Sequence, residues 1–138
     1  MLLILSILVA VAAPRWSQAL KTFRVQNAAA RIAADLARAQ AAAYNSSAPK
    51  TVTFAVATSQ YVVGGVTPLN RSSGTYQVHL SDAPYYSALV AVWGQTGTQT
   101  ITFNGYGLPD KGGSIVVVSG AMQKLVVVDA LTGRASVQ

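Results

Sequence analysis

The chain begins with an uncharged, almost wholly apolar run, Met1 to Ala13, that leads without a turn signal into a long alanine-rich stretch with helical spacing. A continuous helix with a lipid-suited first part and a core-suited second part leaves few folds open. The run is too short to cross a bilayer alone, which takes roughly 20 residues, but it fits one part of a longer anchor or the core of a signal peptide. No basic residue precedes it, whereas Arg15, Lys21 and Arg24 follow it. By the positive-inside rule alone, that order would keep the C-terminal part in the cytoplasm. The simpler expectation is a short basic leader and several more apolar residues upstream of Met1, which would bring the anchor to spanning length.

From Pro14 the pattern is amphipathic: Val25, Ala29, Ile32, Leu36, Ala39 and Ala43 recur at steps of four and three and form one stripe, expected to face the rest of the fold. Arg24, Arg31 and Arg38 line an adjacent edge, with Asp35 spaced to pair with Arg31 at i,i+4 and with Arg38 at i,i+3. Ala30, Ala34, Ala37 and Ala41 form a third face. Small side chains there would let another helix approach closely, although alanine is also simply the best helix former. Leu2, Leu5, Leu8, Val11 and Pro14 carry the candidate packing surface through the apolar part. The helix should stop near Tyr44, because Asn45, Ser46 and Ser47 compete for backbone hydrogen bonds and Pro49 cannot continue the ladder. Pro14 lacks an N–H and is expected to bend or loosen the rod.

Beyond Pro49 the period changes to two. Val52, Phe54 and Val56 alternate with Thr51, Thr53 and Ala55, and Tyr76, Val78 and Leu80 alternate with Gln77 and His79. Further strands are expected over Leu89 to Trp93, Thr100 to Phe103, Ser114 to Val118, Lys124 to Val128 and Arg134 to Val137. Gly64-Gly65, Gly94, Asn104-Gly105, Gly112-Gly113, Ser119-Gly120 and Thr132-Gly133 separate them and imply antiparallel connections. One long helix followed only by strands is an α+β arrangement with the sheet wrapped on the helical stripe. The expected organisation is an apolar helix segment over 1–14, an amphipathic helix over 15–45 and a β-rich domain over 50–138, with Gly64 to Gly74 as a surface loop.

At 138 residues, 51% of them hydrophobic, the chain suits one domain with a sizeable core. It has no Cys, which removes disulfides and thiolate metal sites. Ten Lys and Arg against four Asp and no Glu give a formal charge of +6, which favours acidic partners such as lipid headgroups, nucleic acid or acidic protein surfaces. General acid–base chemistry needs two carboxylates, or a His with an orienting carboxylate. The inventory is Asp35, Asp82, Asp110, Asp129 and His79. His79 falls on the polar phase of its strand, and Asp82 and Asp110 sit beside Pro84 and Pro109 as turn formers. Gly105-Tyr106-Gly107 lacks the strand-to-helix context of a dinucleotide loop, and no Ser sits in a nucleophile elbow. No catalytic residue, cofactor or metal ligand set is expected. Trp16 suits a membrane interface or a helix–helix contact, and of Tyr85 and Tyr86 one ring should join the core while the other faces outward. Ile115 to Val118 and Leu125 to Val128 are apolar on both phases, as in buried strands or a face covered by a neighbour.

The apolar helix ending in Pro14, the run Ala33-Ala34-Asp35-Leu36-Ala37-Arg38-Ala39-Gln40 and the C-terminal strand set together resemble a type IV pilin-like protein. Ile101-Thr102-Phe103-Asn104-Gly105-Tyr106-Gly107-Leu108-Pro109, then Leu125-Val126-Val127-Val128 and Thr132-Gly133-Arg134, are similar to the H-type minor pseudopilins of type II secretion and the FimT-like minor pilins. The family's mature chains usually carry a glutamate near the N-terminus, which balances a neighbour's ammonium; this chain has none. Aligning Pro14 with the family's helix-kink proline implies a mature start about five to eight residues upstream, which reaches spanning length.

The resemblance implies a non-enzymatic filament subunit, held in the inner membrane by a single pass with its C-terminal domain periplasmic or extracellular. Its partners would be membrane lipid before assembly, an inner-membrane assembly platform, and other pilin or pseudopilin subunits. Two other readings stay open. One is a secreted β-rich binding module with a signal peptide. The other is a DNA-binding minor pilin for DNA uptake, with Lys111, Lys124 and Arg134 as candidate nucleic-acid contacts, although solvated cations that keep the subunit soluble are the simpler account of them.

Overall fold

The computed structural model describes residues 2–138, apart from the side chains of Leu2, Val11, Ala12 and Ala13. Helix α1 (Leu2–Ser46) contains 45 residues and is about 68 Å long at 1.5 Å per residue. It continues through Pro14 without a break, so residue 14 marks a change of surface and not the end of an element. Pro14 forfeits one backbone bond there. α1 ends two residues beyond Tyr44, where Ser47 turns left-handed (φ 49°) and Ala48 N–H donates back to the Ala43 carbonyl at 3.2 Å.

Eight strands follow: β1 (Lys50–Ala55), β2 (Gln60–Val63), β3 (Tyr76–His79), β4 (Ala88–Val92), β5 (Thr98–Phe103), β6 (Gly113–Ser119), β7 (Met122–Val128) and β8 (Ala135–Val137). All strand pairings are antiparallel, as the turn residues imply. They form two four-stranded sheets, β3-β2-β1-β5 and β4-β6-β7-β8, in place of the single wrapped sheet expected. The chain changes sheet between β3 and β4, again between β4 and β5, and again between β5 and β6. Strand β2 was not among the expected strands; its Tyr61 and Val63 pair with Val78 and Tyr76 and are buried. Val56 lies in a short 3-10 turn, Val56–Thr58, between β1 and β2.

The helical stripe is the centre of the core. Val25, Ala29, Ile32, Leu36, Ala39 and Ala43 are each at most 1% exposed. Val52, Phe54, Ile101 and Phe103 of the first sheet and Ile115, Val117, Val126 and Val128 of the second close over them. Burying side chains such as Ile32 and Leu36 contributes about 1.5–3 kcal/mol each. Alanines at 29, 39 and 43 let the sheets approach the helix backbone. The apolar runs of β6 and β7 divide by phase: Ile115, Val117, Val126 and Val128 are buried, while Val116, Val118, Leu125 and Val127 on the outer face are half-buried.

Candidate functional site

The face of α1 opposite the core is bare. Trp16, Leu20, Phe23, Ala30, Ala34, Ala37, Ala41 and Tyr44 are all exposed, and with Asn27 they form one unbroken series at alternating steps of four and three. The four expected alanines are thus the middle of a longer stripe, with aromatic rings at both ends. Hydrophobic spacing does not single out Leu20, Phe23 and Tyr44 as packing residues; extending the alanine period in both directions reaches them. Below the stripe, Leu3, Ile4, Leu5, Ile7, Leu8 and Val9 are each more than 60% exposed all round the helix, and Pro14 is exposed. The side chains of Leu2 and Val11 lie outside the described residues. Among the described residues, α1 is the one helix long and apolar enough to cross a membrane.

A buried carboxylate fixes this helix to the first sheet. Asp35 is 3% exposed. Its Oδ2 accepts from Arg31 Nε at 2.9 Å and from the Tyr61 hydroxyl, and its Oδ1 accepts from the Tyr76 hydroxyl at 2.6 Å. Arg31 Nη2 also donates to the Tyr76 oxygen at 2.8 Å. Burial, then the nearby Asp35 charge and hydrogen bond, push the Tyr61 phenol well above its ordinary value, and the same causes raise Tyr76. Burial works against the Arg31 charge, but the Asp35 hydrogen bond and attraction outweigh it and hold the guanidinium protonated. The expected Arg31 pairing is present; the Asp35–Arg38 pairing is not. Arg38 instead donates from Nη2 to the Thr67 carbonyl at 2.9 Å and lies over the Tyr76 ring. Asp35 has turned inward to the two tyrosines, out of Arg38's reach.

The three cations read as nucleic-acid contacts lie on different segments, the loop before β6, strand β7 and the turn before β8. Lys124 lies opposite Val117 on the inward phase of β7, and Arg134 lies in the turn before β8, where its carbonyl accepts from Asp129 N–H. Lys111 is 3.8 Å from Asp110. The span from residue 124 to residue 128 of β7 separates Lys124 from the end near Lys111, about 13 Å at 3.3 Å per residue. Asp110 and Asp129 organise backbone: Asp110 Oδ1 accepts from Thr102 N–H at 2.9 Å, and Asp129 Oδ1 accepts from Leu131 and Thr132 N–H at 2.8 and 2.9 Å. Those backbone donors, Thr132 first, lower the Asp129 carboxyl below its ordinary value. His79 is exposed on β3. Tyr85 packs against the core while Tyr86 is 53% exposed beneath Arg24, 4.7 Å from its ring centroid.

One long helix is buried along one side by two small antiparallel sheets, exposed along the other and apolar at its start. The family model of Type II transport protein GspH matches residues 28–133, most of the chain. The chain belongs to the GspH family. It is therefore a minor pseudopilin of type II secretion, a structural class, with the long-helix α+β fold of pilin-like proteins. No curated protein and no solved structure matches the chain. The GspH match begins inside the helix and covers β1 to β7, so the apolar start of α1 is read from its own composition.

Proposed function

We propose that this GspH-family chain is held in the inner membrane by the apolar start of α1, with its two sheets on the periplasmic side, and is then drawn into a pseudopilus by packing of the bare helix stripe against neighbouring pseudopilins. The observation that carries this is the contrast between the two faces of one helix: residues 25 to 43 bury one stripe completely, and the opposite stripe from Trp16 to Tyr44 is exposed at every position but Asn27. Leaving lipid for another helix gains little hydrophobic energy, so close approach over Ala30, Ala34, Ala37 and Ala41 has to supply dispersion contact. An assembly platform in the membrane supplies the extraction work, since the chain carries no nucleotide motif.

A photo-reactive residue placed at Phe23 or Tyr44, where the stripe already carries a large exposed ring, with a control at Gln123 on the outer face of β7, tests this in secreting cells. Helix positions are expected to cross-link to other pseudopilins, and the control is not. Equal cross-linking at all three positions, or recovery of the whole chain in the soluble fraction, refutes the reading.

A further inference from the structure

The two sheets end in four outer strands, β3, β5, β4 and β8, and a free strand edge must be covered or it will pair with something. Strand β5 is covered at Thr102 by Asp110, whose N–H donates to the Thr102 carbonyl and whose Oδ1 accepts from Thr102 N–H, both at 2.9 Å. Strand β4 is capped at Leu89, whose N–H donates to Ser59 Oγ at 3.2 Å. Strand β8 has only three residues. Strand β3 is different. Leu80 N–H donates to the Ser59 carbonyl, which makes 59 and 80 a hydrogen-bonded pair in the register that joins Tyr61 to Val78 and Val63 to Tyr76. In an antiparallel ladder the intervening residues, Gln77 and His79, then turn their N–H and C=O groups away from β2, toward the open edge.

A cavity of about 340 Å³ lies along that edge, between β3 and the loop after β2; Arg31, Asn70, Arg71, Thr75, Gln77 and His79 are among its lining residues, and none of the lining residues is a carboxylate. Arg31 is already oriented by Asp35 and Tyr76 through Nε and Nη2, which leaves Nη1 for a ligand. Arg71 stands exposed on the opposite wall. Two arginines beside a bare edge repel a second copy of the same edge and favour an acidic strand.

We infer that the β3 edge receives an extended acidic segment of a partner protein, which adds to the first sheet as a fifth strand and sets its carboxylates against Arg31 and Arg71. Main-chain bonds to Gln77 and His79 supply register, and the arginines select charge. The docking is independent of the helix stripe and leaves it free for packing.

The full chain in detergent micelles is titrated with a fluorescein-labelled peptide of alternating Asp and Val. Three comparators are used: the Lys-for-Asp peptide, the acidic peptide N-methylated at alternate backbone nitrogens, and sodium sulfate. The acidic peptide is expected to bind saturably and to slow amide exchange at Gln77 and His79. N-methylation or Arg71→Glu is expected to weaken it by about tenfold or more, the loss of one charge-assisted or main-chain bond set. Arg71 is exposed, so the variant should keep its circular dichroism and remain interpretable. Absence of saturable binding, equal binding of the N-methylated peptide, full displacement by millimolar sulfate, or indifference to Arg71→Glu each overturns strand addition.

Discussion

Replacing Asp35 with Ala tests whether the buried carboxylate holds the helix to the first sheet. The substitution removes the acceptor for three donors at once: Arg31 Nε, the Tyr61 hydroxyl and the Tyr76 hydroxyl. The three losses are unequal. The Arg31 side chain is 31% exposed and regains water, so its ion pair contributes little. Tyr76 keeps a partner, because Arg31 Nη2 still donates to its oxygen. Tyr61 is 1% exposed and is left with a dry, unpaired hydroxyl, which costs about 1–3 kcal/mol. Adding the lost charge-assisted bond from Tyr76, about 1.5–3 kcal/mol, and subtracting a helix-propensity gain of about 0.5 kcal/mol gives a net loss of about 2–5.5 kcal/mol. For a domain of this size that lowers the midpoint of thermal unfolding by on the order of 10 °C or more.

Denaturant and thermal unfolding of the wild-type and Asp35→Ala chains in detergent measure the effect, and a cycle with Tyr61→Phe assigns it. Coupling between the two substitutions of at least about 1 kcal/mol is expected, because they share one hydrogen bond. A destabilisation below about 1 kcal/mol, or strict additivity with Tyr61→Phe, would show that the carboxylate is not the fastening.

Stability should fall at alkaline pH. Tyr61 and Tyr76 are raised above the ordinary phenol value of 10.0, so the folded chain holds their protons more tightly than the unfolded one; the contribution is complete below pH 10 and is lost as pH rises beyond it. Denaturant midpoints between pH 8 and 11, on the order of one unit apart, should show the decline, and Tyr61→Phe should flatten it. Ala34→Leu should leave unfolding of the isolated chain within about 0.5 kcal/mol of wild type, since the position is exposed, yet it should abolish cross-linking through the helix stripe; unchanged cross-linking would refute close packing there. Gly112→Ala should destabilise by about 1–3 kcal/mol, because a Cβ at that position would lie 2.6 Å from the Ala130 nitrogen and 2.7 Å from the Val128 carbonyl; a neutral result in thermal unfolding would mean that the β7–β8 turn yields without strain.

The helix was legible because its signal is local and periodic: the six residues chosen by spacing alone are all buried, with Ala28 and Asp35 beside them. Strand phases at Val52, Phe54, Tyr76 and Val78 were legible for the same reason. Strand β2 escaped because its four residues carry only one and a half periods between Ser59 and Gly64. The division into two sheets depends on which strand meets which across long connections, and alternation says nothing about that. Asp35 shows the same limit within a single side chain. Helical spacing offered it Arg31 and Arg38, but its partners Tyr61 and Tyr76 lie 26 and 41 residues away. The long stripe was present in the sequence, but its alanines carry no hydrophobic contrast that would join Trp16, Phe23 and Tyr44 into one surface.

Because α1 runs unbroken from its greasy start to Ser46 and is gripped by both sheets, any tug applied at the stem travels along the axis of a stiff spar into the middle of the fold. The strands are attached to it as two sheets closed over one stripe. A subunit built this way would be lifted whole, with its sheets riding as passengers while the spar bears the load.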